Sequence, residues 1–472
     1  MFNLSNISDV TIKTKLLWIF LGAGVILYSV FIYLSCNSLT YDAQPSESQK
    51  IIFVIQRMLV GLLFFIAIIN INKLPGREVW LAWIIFTGLF ARIILIPSAP
   101  VLEDDYFRYM WDGAVTANGF NPYQYSPKDV IDKKARIPDK LKYLADESGD
   151  VIEKINHPQM RTLYPSLSQA VFALAYYIFP WSVSGWKIIM LLGDLFLLFF
   201  IIKILQQLSL PLVFVSIYWL NPVVIHEFFN TGHYDLFAIL FTSISIYYFL
   251  RDKYLLSSSA LAMAVGFKLW PVLIFPIFLR KINKGKKTIF LNILVFSLLM
   301  ILIFLPVLFA GWDKNQGFMK YAANWINNAA VYTLLKDSIE LFTTLFNIYF
   351  VCADCVARWI TSGIILVSLM IILRKPVKDN FDFLDKIFLI ITISFLVSPT
   401  QFPWYLTWLI LPLVFSPRIS ILLYVFLIPL YHLHYIHSYY IYIQHLPVLV
   451  LFLYEIKKGA GLGFINRSVL DR

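Results

Sequence analysis

The stretch KLLWIFLGAGVILYSVFIYLSC, Lys15 to Cys36, decides how the chain is read. It carries no charge after its first residue, and it is long enough to cross a hydrocarbon core, which takes about 20 helical residues. It is too long for the apolar core of a secretion signal and has no small-residue cleavage site, so it reads as a retained span. Runs of the same kind recur at Ile51 to Ile71, Val79 to Pro97, Trp186 to Leu205, Leu210 to Phe228 and Leu236 to Leu250. They continue at Thr288 to Phe309, Ala357 to Leu373, Phe381 to Val397, Trp404 to Phe415, Ile419 to Tyr435 and Leu446 to Tyr454. Of 472 residues, 59% are hydrophobic and 14% charged, against roughly 25% charged in a soluble domain. The expected fold is therefore all-α: a polytopic transmembrane bundle of about 12 spans.

The formal charge of +11 would suggest a nucleic-acid partner in a soluble protein. Here its distribution orients the chain instead, and no nucleic acid is expected. With Lys13 and Lys15 in the cytoplasm, the same side receives Lys73, Arg77, Arg251, Lys253 and the basic run Arg280 to Lys287. Arg374, Lys375, Lys378, Arg418, Lys457 and Lys458 follow, as the positive-inside rule requires. Both termini come out cytoplasmic. The segment Tyr254 to Leu279, broken by Lys268, Pro271 and Pro276, reads as a broken helical pair with its tip outside. Residues 1–455 form one transmembrane domain and 456–472 a cytoplasmic tail. Short inner loops and the lack of an organelle signal point to a bacterial plasma (inner) membrane.

Two loops exceed what a connector needs, 98–185 and 311–356, and both fall outside. Within the first, Ser166 to Pro180 is apolar but too short to span, which suits a helix lying along the interface. Cys352 and Cys355 in the second are expected to pack or to form a local disulfide. His432, His434, His437 and His445 alternate with tyrosines at no metal-ligand spacing and read as interfacial packing.

The chemistry concentrates in Glu103-Asp104-Asp105-Tyr106-Phe107-Arg108-Tyr109-Met110-Trp111-Asp112-Gly113. Three carboxylates crowded where lipid meets water repel one another, which raises carboxylate pKa values and tunes a base toward neutrality. A plainer role is also open: Asp104 or Asp105 caps the following helix while Arg108 pairs with Asp112 one turn on.

This stretch continues to Asn118-Gly119-Phe120-Asn121-Pro122-Tyr123. It resembles the first outer loop of GT-C membrane glycosyltransferases, most of all the polyprenol-phosphate-mannose-dependent mannosyltransferases and glycosyltransferase family 87. Leu163-Tyr164-Pro165-Ser166, Asn221-Pro222 leading to Gly232-His233-Tyr234-Asp235, and Phe267-Lys268-Leu269-Trp270-Pro271 agree in order. So do Trp325-Ile326-Asn327-Asn328 and the run Ser398 to Tyr405. The resemblance implies hexose transfer, mannose being the commonest in the family, from a polyprenyl-phosphate donor to a glycan or glycolipid acceptor. Transfer takes place on the outer face of the bilayer with inversion.

Asp104 or Asp105, beside Glu103, is then the general base. Lys268, Arg108 and Arg161 are candidates for the donor phosphate; an ammonium in an apolar stretch is costly unless it reaches water or an anion. Arg92, inside a span, could serve the phosphate or the interface. His233 and Asp235 would form a second polar wall, although Asp235 could simply cap its helix. Asn324, Trp325, Asn327, Asn328, Trp404 and Tyr405 supply the rings and amides that read sugars, or else an aromatic belt. No cofactor is expected; a single Asp235 without D-x-D or D-x-E spacing argues against a divalent metal. The alternatives are a lipid-linked glycan transporter or flippase, which would show repeats and midplane charges, and a polysaccharide ligase.

Overall fold

The computed structural model describes residues 4–74, 77–311, 316–348 and 350–458. Most of the expected tail, 459–472, therefore lies outside the described residues. Helices carry the described chain, with no strand beyond an isolated bridge between Asn327 and Thr400. Among the described residues, six helices are long and apolar enough to cross a bilayer: Ile12–Ser38, Glu47–Ile69, Val183–Gln207, Gly285–Phe309, Ala353–Arg374 and Tyr439–Lys458. The protein is a helical membrane protein.

The count of about 12 spans is not reached by length and composition. A bent pair, Leu212–Trp219 and Pro222–Phe229 at 51°, makes a seventh candidate. Val79–Leu95, Asp235–Leu250, Pro403–Phe415 and Ile419–Leu433 are shorter apolar helices. Helix Asn380–Val397 carries Asp382, Asp385 and Lys386. An apolar run does not say which solvent it faces: Asp235–Leu250 is oily because it is packed inside the protein, with Leu236, Ala238, Ile239 and Ile246 wholly buried.

The bend in the pair follows from local chemistry. Pro222 opens the second helix without an N–H, its predecessor cannot be helical, and Asn221 caps the new helix by accepting from the Val223 N–H. The tip expected at Lys268 is also present as a break, since helix Tyr254–Phe267 ends there and a 3-10 turn, Trp270–Ile274, follows.

Arg92 does neither job expected of it. It is wholly buried, with Nε 2.5 Å from Asp194 Oδ2, Nη1 donating to the Trp219 carbonyl and the guanidinium 3.7 Å from the Trp219 ring. Tyr218 donates to the same Asp194, so one buried charge pair ties together helices Arg77–Leu95, Val183–Gln207 and the bent pair. The apolar segment after Pro165 is a helix, Ser166–Ile178, packed against helix Asp105–Ala117. Gly113 permits the approach: a Cβ there would lie 2.4 Å from the Phe172 carbonyl oxygen. Cys352 and Cys355 form a disulfide at the start of helix Ala353–Arg374.

Candidate active site

The helix beginning at Asp105 opens into a cavity of about 290 Å³ lined by Glu103, Asp104 and Asp105. Glu103 organises the group. Its Oε1 accepts from the backbone N–H groups of Asp104 and Asp105, at 3.0 and 2.9 Å, and its Oε2 lies 3.1 Å from His233 Nε2. Asn156 Nδ2 donates to Asp104 Oδ1 and Asp105 Oδ1 at 2.7 and 2.9 Å, clamping the two aspartates together. Asp104 occupies the N-cap position but makes no side-chain cap bond, and neither does Asp235, whose helix is preceded by Tyr234. Capping explains neither residue.

Burial pushes Asp104 up to about 7, and the charges of Glu103 and Asp105 add to it. Asp105 is raised as well, by burial first and then by Glu103, while His233, Asn156 and Lys268 pull against the rise. For His233, burial opposes charging, yet Glu103 and Asp105 outweigh it and lift the imidazole above its ordinary value. A hydrogen-bonded chain runs from Asp105 Oδ2 to Tyr109 Oη at 3.5 Å and from Tyr109 Oη to His233 Nδ1 at 3.2 Å. Trp404 stacks on His233 with ring centroids 3.7 Å apart, which fixes the imidazole behind the wall.

The cationic side comes from three elements. Arg108 pairs with Asp112 at 2.8 Å and donates to the Met160 carbonyl, but its Nη2 is buried without a partner while the residue lines the cavity. Lys268 Nζ lies 3.3 Å from Asp235 Oδ2, 4.4 Å from the Tyr234 ring centre and 5.0 Å from that of Tyr405. Asp235 Oδ1 accepts from Trp408 Nε1 at 2.6 Å. Arg161 also lines the cavity.

Two loops far apart in sequence close the roof. The Asn327 N–H donates to the Pro399 carbonyl and the Gln401 N–H to the Asn327 carbonyl, so Trp325 and Asn327 are brought beside Trp404 and Tyr405 over the cavity. Residues 37–282, just over half of the chain, match the MptA_B family, described as alpha-(1->6)-mannopyranosyltransferase, N-terminal domain. The chain belongs to that family. It is a glycosyltransferase, and the resemblance to GT-C mannosyltransferases is borne out. No curated protein and no solved structure matches the chain.

Among the described residues, the matched segment holds every carboxylate and cation lining the transferase's cavity, from Glu103 to Lys268, whereas the roof lies beyond it. Of the residues singled out from the sequence, Glu103, Asp104, Asp105, Arg108, Arg161, Lys268, Trp325, Asn327, Trp404 and Tyr405 converge on one cavity. His233 and Asp235 are wholly buried and stand behind its wall, touching Glu103 and Lys268 respectively. Asn328 is a structural residue: buried, at φ 50°, it donates to the Gln401 carbonyl and does not line the cavity. Asn324 donates to the Lys320 carbonyl in its own helix.

Sequence reasoning missed Asn156, an unremarkable asparagine in a long loop. It also missed the cavity floor, where Arg57 joins Glu227 at 2.7 Å and His432 at 2.9 Å. An arginine in the middle of an apolar run was the available signal. His445 behaves as expected, packed on Tyr424.

Proposed function

We propose that this transferase moves mannose from a polyprenyl-phosphate donor to a hydroxyl of a glycan or glycolipid acceptor, forming an alpha-(1->6) bond with inversion at the anomeric carbon. The single observation that carries the reading is the meeting, in one cavity, of two clamped carboxylates, Asp104 and Asp105, both raised by burial and by their neighbours' charges, and a buried arginine nitrogen with no partner among the described residues.

Asp105 is the base. The Lys268 charge acts on it and the two line one cavity, and an inverting displacement puts the attacked carbon between base and phosphate. The acceptor hydroxyl gives its proton to the Asp105 carboxylate as its oxygen bonds to the anomeric carbon. The bond from that carbon to the phosphate oxygen breaks, and polyprenyl phosphate leaves with the electron pair. Arg108 Nη2, Lys268 and Arg161 meet the anion, whose own stability removes the need for a general acid. Tyr109 and His233 hold the far side of Asp105, and Asp104 shares its Asn156 donor. The carboxylate oxygens of Glu103, Asp104 and Asp105 lie within 4.8 Å of one another, close enough to share a cation. Since Glu103, Asp104 and Asp105 are each tied to protein donors, the reading needs no metal.

The site faces outward in this reading, in a plasma membrane, with both termini inside and about 12 crossings that include the shorter apolar helices. The Cys352–Cys355 disulfide supports an outer location for the second loop, because such bonds persist in oxidising compartments.

The test is transfer from labelled polyprenyl-phosphate mannose by protein in lipid, with and without EDTA. Product with an inverted anomeric configuration, unaffected by EDTA, is expected. Loss of turnover with EDTA and its return with a divalent ion would overturn the metal-free mechanism. No transfer from any polyprenyl-phosphate sugar, with substrate movement across sealed vesicles, would replace the enzyme by a transporter.

A further inference from the structure

Beneath the carboxylates the cavity ends in a polar floor formed by helices from distant parts of the chain. His226, Glu227, Thr231 and His432 line it. Tyr28 Oη bonds His226 Nδ1 at 2.7 Å, which fixes the ring, and His226 Nε2 is left buried with no partner. Glu227 Oε1 is held at 2.7 Å by Arg57, whose other nitrogen lies 2.9 Å from His432 Nε2. The floor is continuous with the acid cluster, because the His233 N–H donates to the Glu227 carbonyl at 2.9 Å.

This end of the cavity differs in kind from the phosphate end. Its arginine is matched by a glutamate, so what it presents are oriented donors and acceptors rather than a charge. A buried imidazole nitrogen with no partner costs free energy unless a ligand supplies one. Ligand sites run from about 300 Å³ upward, so a cavity of about 290 Å³ takes one sugar ring and a phosphate but not an oligosaccharide. The ring must lie between Asp105 and the cations, within the same cavity that His226 and Glu227 line.

We propose that the floor is the subsite that reads the hydroxyls of the hexose being transferred, with His226 Nε2 bonded to one of them. Glu227, held by Arg57 and His432, orients the ring. The proposal rests on the polyprenyl-phosphate reading given above.

The test measures binding of three ligands to wild-type protein in lipid: polyprenyl phosphate without sugar, polyprenyl-phosphate mannose, and the mannose lipid lacking single hydroxyls. In the wild type at least one deoxy ligand should bind about tenfold more weakly, the worth of one buried hydrogen bond. His226→Phe keeps a ring but no nitrogen. It should cut that penalty below about twofold while binding sugar-free polyprenyl phosphate as the wild type does. If His226→Phe fails to bind the sugar-free lipid because it does not fold, His226→Leu, which likewise offers no donor or acceptor, carries the same comparison. A wild type indifferent to every deoxy position overturns the subsite whatever the variants do. So does a penalty unchanged in folded His226→Phe. A wild type that binds no polyprenyl phosphate overturns the donor reading instead, a result distinct from all of these.

Discussion

Replacing Asp104 by asparagine keeps the side chain's shape and its hydrogen bond from Asn156 in altered form, but removes one negative charge beside the proposed base. The two carboxylates approach within 4.8 Å. At an effective dielectric constant of about 20, Coulomb's law gives about 3.5 kcal/mol of repulsion at that distance, equivalent to about 2.5 pH units. Solvent at the cavity mouth reduces this, leaving a displacement of about 1 to 2 pH units. The sign follows from the chemistry. Asp105 works only when ionised, so turnover is lost as pH falls through its raised pKa and is full above it. Asp104, itself pushed up to about 7, carries its charge only from about that pH upward, so in Asp104→Asn the acid limb of kcat/KM moves to lower pH where Asp104 would have been ionised, and the variant outperforms its own plateau-scaled parent around and above pH 7 rather than below it. Asp105→Asn, by contrast, should lose about 10²- to 10⁴-fold in kcat at every pH. The assay is initial rate of transfer from polyprenyl-phosphate mannose between pH 5 and 9. An unmoved limb in Asp104→Asn refutes the electrostatic coupling. Near-normal turnover in Asp105→Asn together with a dead Asp104→Asn would reverse the two roles.

Other perturbations read different parts of the molecule. Lys268→Met should raise KM for the donor by roughly tenfold or more, the scale of a lost charge-assisted contact. Lys268→Met combined with Asp235→Asn should restore expression without restoring KM, which initial rates over a donor series would check. Arg92→Met strands the wholly buried Asp194 and should cost about 3–5 kcal/mol, visible as a lower unfolding temperature in detergent; Arg92→Met with Asp194→Leu should recover most of it. Gly113→Ala gains up to about 1 kcal/mol of helix propensity but drives a methyl to 2.4 Å from the Phe172 carbonyl oxygen. Overpacking of about 1–3 kcal/mol outweighs the gain, so a thermal shift downward is expected and a stabilised protein would contradict the packing.

The oily runs announced a helical membrane protein because lipid leaves a chain no other way to satisfy its backbone. They overstated how many helices reach full span length, since Asp235–Leu250 is apolar for packing rather than for lipid. The acid cluster was legible because three adjacent carboxylates at a span's edge are costly and need a reason. His233 and Asp235 were found, but whether they touch a ligand or hold a neighbour depends on depth, which spacing along a chain does not encode. Arg57, Glu227 and His432 come from residues 170 and 375 positions apart in sequence, and only packing brings them together. Asn156 had no local signal at all: an amide between two carboxylates is ordinary until its partners are in view.

The bridge between Asn327 and Thr400 has a consequence for when the molecule becomes active. Residues 103–268 leave the ribosome with the carboxylates and cations already present, but Trp325 arrives more than fifty residues later and Trp404 and Tyr405 more than a hundred and thirty later. A nascent chain of that length thus carries the acid cluster and the cations of the cavity without the aromatic rings that later pack together beside them. Because the backbone pairing that closes the roof joins two late segments, it forms only toward the end of insertion.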